Sequence, residues 1–200
     1  MHHDLLLARR VIVGLWAAWA LYWAVTALNA KSTQRRESPA SRAAHVIPLL
    51  VGGLLIGWHS VTWPALAARL WPRSFAIYCL GVVLLAAGLG FAVWARMHLG
   101  RNWSGTVTIK EGHELIRSGP YALVRHPIYT GILAALLGTA IASGTVHAAL
   151  GFFVIAVALL RKMRIEEAFL SETFPDEYPR YRAQLPALIP FTRPRQSAPR

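Results

Sequence analysis

Two stretches of this 200-residue chain set titratable side chains against the ends of long apolar runs. One begins at His113 and passes Leu115, Ile116 and Tyr121 to reach Arg125-His126-Pro127-Ile128-Tyr129. The other reads Arg161-Lys162-Met163-Arg164-Ile165-Glu166-Glu167. Ionisable groups beside membrane-length segments are costly to keep and mark functional sites. Paired carboxylates suit ribose hydroxyls or an ammonium group. Lys162 or Arg164 can hold an anionic substrate group. The faces of Tyr121 and Tyr129 can stack on a base or stabilise a cationic sulfonium. A third stretch, Gly100-Arg101-Asn102-Trp103-Ser104-Gly105, mixes a cation, an amide, an indole and a hydroxyl between glycines, which can orient a polar group beside an apolar surface.

Each group also has an ordinary explanation. Glu166 and Glu167 could form surface ion pairs at a solvated helix end. Tyr121, Tyr129 and Trp103 could be interfacial anchors, and Arg125 could bind lipid phosphate. His45, His59, His98 and His147 are scattered and read as structural or interfacial. The pair His2 and His3 is isolated, and no metal site is expected.

The local elements follow from the same residues. Proline suits the first turn of a helix, so Pro127 predicts a helix start. It biases His126 away from helical geometry and leaves that ring free at the helix entry. On a continuing helix Lys162 and Glu166 are four apart, as are Met163 and Glu167, and Arg164 and Glu167 are three apart.

The elements that must hold these groups are membrane spans. The chain is 55% hydrophobic and 15% charged, with mean hydropathy +0.40, more apolar and less charged than soluble domains. Val11 to Leu28 matches the ~20 residues that cross a bilayer and reads as a retained span, not a cleaved leader. Lys31 to Arg42 reads as a basic loop. A second span runs from Val46 to Val61, with Gly52, Gly53 and Gly57 as close-packing positions. It is expected to extend, kinked at Pro64, toward Leu70. A third runs from Phe75 to Trp94, where Gly81, Gly88 and Gly90 offer close helix contact. Tyr129 to Leu160 is too long for one span. Ser143-Gly144-Thr145 predicts two shorter helices, 129–142 and 146–160, forming a hairpin. The fold class expected is therefore all-α: a polytopic membrane protein of about five spans, the last two paired. Residues 1–95 form the N-terminal spans, 96–191 the region carrying the chemistry, and 192–200 a disordered tail.

Charge supports the hairpin. With it, only Arg9, Arg10, Arg69 and Arg73 of the 21 Lys and Arg lie on one side of the membrane. The asymmetry predicts an external N-terminus and a cytoplasmic C-terminus, with both opening motifs cytoplasmic. A net charge of +12 could reflect a nucleic-acid binder, but no recognition fold accompanies it. Cys79, the single cysteine, reads as a buried small apolar residue.

Gly119-Pro120-Tyr121, Arg125-His126-Pro127-Ile128-Tyr129-Thr130-Gly131, a hairpin, Arg164-Ile165-Glu166-Glu167 and Phe174-Pro175-Asp176-Glu177-Tyr178-Pro179-Arg180-Tyr181 occur in that order. This set, over about residues 98–191, resembles the isoprenylcysteine carboxyl methyltransferase family. The related phospholipid N-methyltransferases share the His-Pro and Glu-Glu elements. The resemblance implies a membrane methyltransferase that uses S-adenosylmethionine in a cytoplasmic pocket. It implies cofactor contacts at His113, Leu115, Ile116, Tyr121, His126, Pro127, Ile128, Tyr129 and Glu166, with Glu167 adjacent. His126, Arg164 and Asn102 are the candidate catalytic residues, and Lys162, Arg164 and Trp103 the candidate substrate contacts. The family often has Arg where this chain has Lys162. The substrate implied is a small lipophilic molecule and the setting a bacterial inner membrane. Phospholipid N-methylation and non-catalytic lipid binding stay open as alternatives. A transporter is disfavoured, because no span core carries a charged relay.

Overall fold

A computed structural model of the chain describes residues 2–28, 33–58, 62–100, 108–110 and 115–192. Its elements are α1 (His2–Ala27), β1 (Thr33–Arg36), α2 (Pro39–Gly57), α3 (Pro64–Ala67), α4 (Phe75–Leu99), β2 (Thr108–Lys110), α5 (Pro127–Ser143), α6 (Val146–Thr173) and α7 (Glu177–Gln184). Segments of α1, α2, α4 and α6 are long and apolar enough to cross a membrane, and α5 is a shorter apolar helix. The protein is all-α and polytopic. A small antiparallel ladder between β1 and β2, unanticipated in the sequence, pairs Thr33 with Lys110 and Arg36 with Thr108.

The hairpin forms where the sequence breaks. Gly144 ends α5 in the left-handed region, at φ 65°, where only glycine is unstrained. Beyond Thr145 the chain resumes as α6, a continuous 28-residue helix that carries past 160 to Thr173. The second span differs from expectation. Helix α2 starts at Pro39, inside the predicted loop, and stops at Gly57. Pro64 does not kink a longer helix; it opens the separate short α3, as a first-turn proline does.

Two tight pairings make the core, α4 with α5 and α2 with α6. Between α4 and α5 the glycines meet reciprocally. A methyl at Gly81 would lie 2.5 Å from the Gly138 carbonyl oxygen, and one at Gly88 would lie 2.6 Å from that of Gly131. Gly52 and Gly151 do the same between α2 and α6, where an added methyl at Gly151 would stand 2.6 Å from the Gly52 oxygen. Small residues let helix backbones approach where lipid offers no hydrophobic contrast. Gly53, Gly57 and Gly90, also predicted as contact positions, face open space. Helix α1 is tied on by Trp16 Nε1, which donates to Thr139 Oγ1 at 3.0 Å.

The ends of the bundle are distinct. At one end the turn after α3 docks on the hairpin tip: Leu70 N donates to Gly144 O at 2.9 Å and Val146 N to Ala68 O at 3.0 Å. At the other, Arg96 joins the end of α4 to the end of α1 through Thr26 O at 2.7 Å. Arg161 reaches Ser41 O, in the first turn of α2, at 3.0 Å. The start of α5 and the polar end of α6 lie at this second end.

Candidate active site

His126 ends the approach to α5 with φ −125° and ψ 62°, outside helical geometry, and Pro127 occupies the first turn. Backbone groups here are satisfied by the segment after α7. Arg125 N and His126 N donate to Pro186 O and Ala187 O, each at 3.0 Å, and Thr130 Oγ1 donates to Leu188 O at 2.7 Å. The segment after α7 thus straps the helix entry. Tyr181 Oη donates to Tyr121 O at 2.6 Å, holding the turn Gly119–Ala122. Burial pushes the Tyr181 phenol up to about 12 and raises Tyr121 well above the usual tyrosine range. Both therefore stay neutral at ordinary pH.

The two adjacent glutamates have different surroundings. Glu167 is buried, 7% exposed. Its Oε1 accepts from Arg125 Nη2 at 2.7 Å and Arg125 Nε at 3.0 Å. His126 Nε2 lies 3.1 Å from the same oxygen, and Arg182 Nε stands 3.8 Å from Oε2. Arg125 also donates through Nη1 to the carbonyls of Arg182 and Leu185. This is a crosslinked ion cluster that ties α5, α6 and the strap together. Arg125, which could have been a lipid-phosphate ligand, is the glutamate's partner.

Glu166 is less committed, with its side chain 23% exposed. Its Oε1 accepts from Tyr129 Oη and lies 3.9 Å from Lys162 Nζ. Its Oε2 faces His126 Nδ1 at 3.8 Å. The His126 and Tyr129 rings stack, 5.7 Å apart and 11° from parallel. Lys162 Nζ stands 5.7 Å from the Tyr129 ring centroid. That ring already lies beside one cation, as an aromatic face near a sulfonium would.

The predicted residues thus divide. The structure brings His126, Pro127, Tyr129, Lys162, Glu166 and Glu167 together. Tyr121 is buried nearby, joined to α7, and Ile128 packs on the core beside Tyr129. Leu115 and Ile116 are half-buried in the lead-in to this turn. Asn102, Trp103 and His113 lie outside the described residues. Arg164 is not among the residues gathered here. It is exposed and sits two residues from Glu166, which places it on the opposite side of the helix. The cation beside the carboxylate is Lys162. The sequence reading passed over Glu37 and took His45 as structural or interfacial, and the two pair at 3.4 Å next to Arg161. A lone acid in a basic loop was the available signal. His98 and His147 have structural partners, Ser118 Oγ and Leu55 O, each at 2.8 Å.

The residues suit an S-adenosylmethionine-type donor. Glu166 offers a partly open carboxylate for hydroxyl or ammonium groups, and aromatic rings flank it.

Comparisons with known proteins match more than half of the chain. The family model described as phospholipid methyltransferase matches residues 76–177. The protein-S-isoprenylcysteine O-methyltransferase of Schizosaccharomyces pombe is 33% identical over 121 residues, covering 59% of this chain and 48% of that protein. The cobalt-zinc-cadmium resistance protein CzcN of Cupriavidus metallidurans is 30% identical over 152 residues, covering 72% of this chain and 60% of that protein. The chain therefore spans about half to under two thirds of the length of these relatives. The solved structure of the eukaryotic intramembrane Ras methyltransferase ICMT superposes with a TM-score of 0.54 at 24% identity, over 78% of this chain and 54% of that one. The fold is shared with that protein.

Proposed function

This chain belongs to the phospholipid methyltransferase family, and from that premise and the geometry around Glu166 we propose that it is an S-adenosylmethionine-dependent membrane methyltransferase acting on a small lipophilic substrate. The observation that carries the reading is the unequal state of the two glutamates. Glu167 is consumed by Arg125 and His126. Glu166, beside it, keeps a partly exposed carboxylate within a ring of His126, Tyr129 and Lys162.

We assign the donor pocket to Glu166, His126, Tyr129, Tyr121, Pro127 and Ile128, with Leu115, Ile116 and His113 along its lead-in. When bound, S-adenosylmethionine supplies a methyl group on a sulfonium, open to in-line displacement. Glu166 would take hydroxyl or ammonium hydrogens. The Tyr129 ring favours positive charge, and the Arg125–Glu167 cluster fixes the His126 ring. Rate enhancement would come mainly from alignment of the reacting groups. Lys162 would orient the acceptor, with Trp103 and Asn102 from the 100–105 stretch. Isoprenylcysteine O-methylation is the chemistry named for the S. pombe relative.

The site would face the cytoplasm, where the soluble donor is made, with the N-terminus outside. The placement of only four Lys and Arg on the other side supports this.

Calorimetry on the detergent-purified chain tests the reading. S-adenosylmethionine should bind, and Glu166→Ala should weaken binding at least tenfold. A wild-type chain that binds no donor sinks the proposal.

A further inference from the structure

A second buried acid–base pair lies beside this pocket, and the pocket as described does not use it. Glu37 directly follows β1 and precedes Ser38, the cap of α2. Its side chain is 3% exposed, and its Oε1 lies 3.4 Å from His45 Nε2. His45 is 2% exposed. Across the ring, Arg161 Nη1 stands 3.4 Å from Nδ1. A guanidinium only donates, so Nδ1 is an acceptor and the neutral ring carries its proton on Nε2, facing Glu37. Arg161 is itself fixed by Ser41, through the carbonyl at 3.0 Å and the hydroxyl at 3.4 Å. Among the described residues neither oxygen of Glu37 accepts a hydrogen bond. A buried carboxylate left so thinly compensated is costly and calls for an explanation.

Its place supplies one. Arg161 and Lys162 are consecutive on α6, and His45 lies within electrostatic range of both Lys162 and Glu166. The charged groups facing His45 are Glu37, Lys162, Arg161 and Glu166, and Tyr129 lies within electrostatic range of Glu37. We propose that Glu37 and His45 form the acceptor side of the pocket: Glu37 takes the proton from a lipophilic acceptor whose nucleophile arrives as N–H or O–H, and His45 positions that carboxylate. This rests on the methyltransferase reading above. A carboxylate acceptor needs no base, and Glu37 and Glu166 would repel it.

The step balances. The acceptor's lone pair forms the bond to the methyl carbon as the carbon–sulfur bond of the sulfonium breaks. The electron pair of that bond stays on sulfur, which leaves as a neutral thioether. The acceptor's proton passes to Glu37 and then exchanges with water. Glu37 must be a carboxylate to accept that proton.

The test uses the full chain in lipid nanodiscs and three acceptors sharing a dodecyl tail: N-methyldodecylamine, 4-dodecylphenol and dodecanoate. Donor binding by the wild type is measured first, and its absence counts against the methyltransferase reading itself. With donor bound, the amine or the phenol should be methylated with kcat/KM at least tenfold above dodecanoate. Glu37→Gln should lower that kcat/KM at least tenfold and remove the acidic limb of the pH profile. It should also weaken binding of the preferred acceptor without donor, while donor affinity stays within twofold. Preference of the wild type for dodecanoate overturns the inference. So does Glu37→Gln with unchanged kcat/KM and pH profile. If Glu37→Gln fails to fold, the wild-type preference among the three acceptors decides.

Discussion

At the residue scale, adjacent glutamates on one helix do different jobs because their neighbours differ. Glu167 meets a guanidinium through two nitrogens and an imidazole through a third, whereas Glu166 meets a phenol and a more distant ammonium. Removing one partner of a buried pair leaves an uncompensated charge and costs about 3–5 kcal/mol. Glu167→Gln should therefore lower the thermal stability of the purified chain markedly, and Glu166→Gln should leave it nearly unchanged while losing donor binding. Equal effects of the two substitutions on stability would erase the distinction. Arg125→Lys is not conservative here, because a lysine cannot reach Glu167 and two carbonyls together. It should destabilise the chain almost as much as Arg125→Ala, measured by thermal unfolding in detergent. Both glutamates and His126 were legible as a candidate site from their types and from the ends of the apolar runs beside them. The partnership of Arg125 with Glu167 was not, since 42 residues separate them and no local spacing encodes it.

At the element scale, the hairpin was legible because a glycine in the left-handed region leaves a short, polar break in an apolar run. Which glycines pack was only half legible. Lipid-facing helices are apolar all round, so no polar face marks the buried one. Gly81 and Gly88 matter because Gly138 and Gly131 stand at the same seven-residue spacing on the antiparallel neighbour. Gly90 has the same composition around it and no partner. The β1–β2 ladder carries no apolar alternation and left no trace in hydropathy. The paired glycines give a sharp expectation. Gly88→Leu must push apart two backbones in contact, and overpacking costs about 1–3 kcal/mol or more. It should lower the unfolding temperature in detergent by several degrees, while Gly90→Leu, facing open space, changes it little. If Gly90→Leu proves as damaging as Gly88→Leu, the α4–α5 seam is misplaced.

At the scale of the whole molecule, the contacts sort the chain into two ends, and the charge sorts the same segments the same way. The hairpin tip at Gly144 and the turn at Ala68 to Leu70 bond to each other. Neither is near the Glu166 cluster, which joins the N-terminal ends of α2 and α5 to the polar stretch of α6. A bilayer around the apolar helices must therefore separate hairpin tip from site. The positive-inside bias then chooses which end faces the cytoplasm. Reading 129–160 as a single span would put His126 and Glu166 on opposite sides of the membrane, although the two side chains stand 3.8 Å apart. Cysteine labelling in intact cells separates these arrangements. In a Cys79→Ser background, Ser143→Cys should react with a membrane-impermeant maleimide from outside. Arg164→Cys, exposed near the site, should react only after the membrane is permeabilised. A reporter fused after Arg200 should behave as cytoplasmic. Labelling of Arg164→Cys in intact cells, with Ser143→Cys protected, would invert the topology and remove the site from its donor.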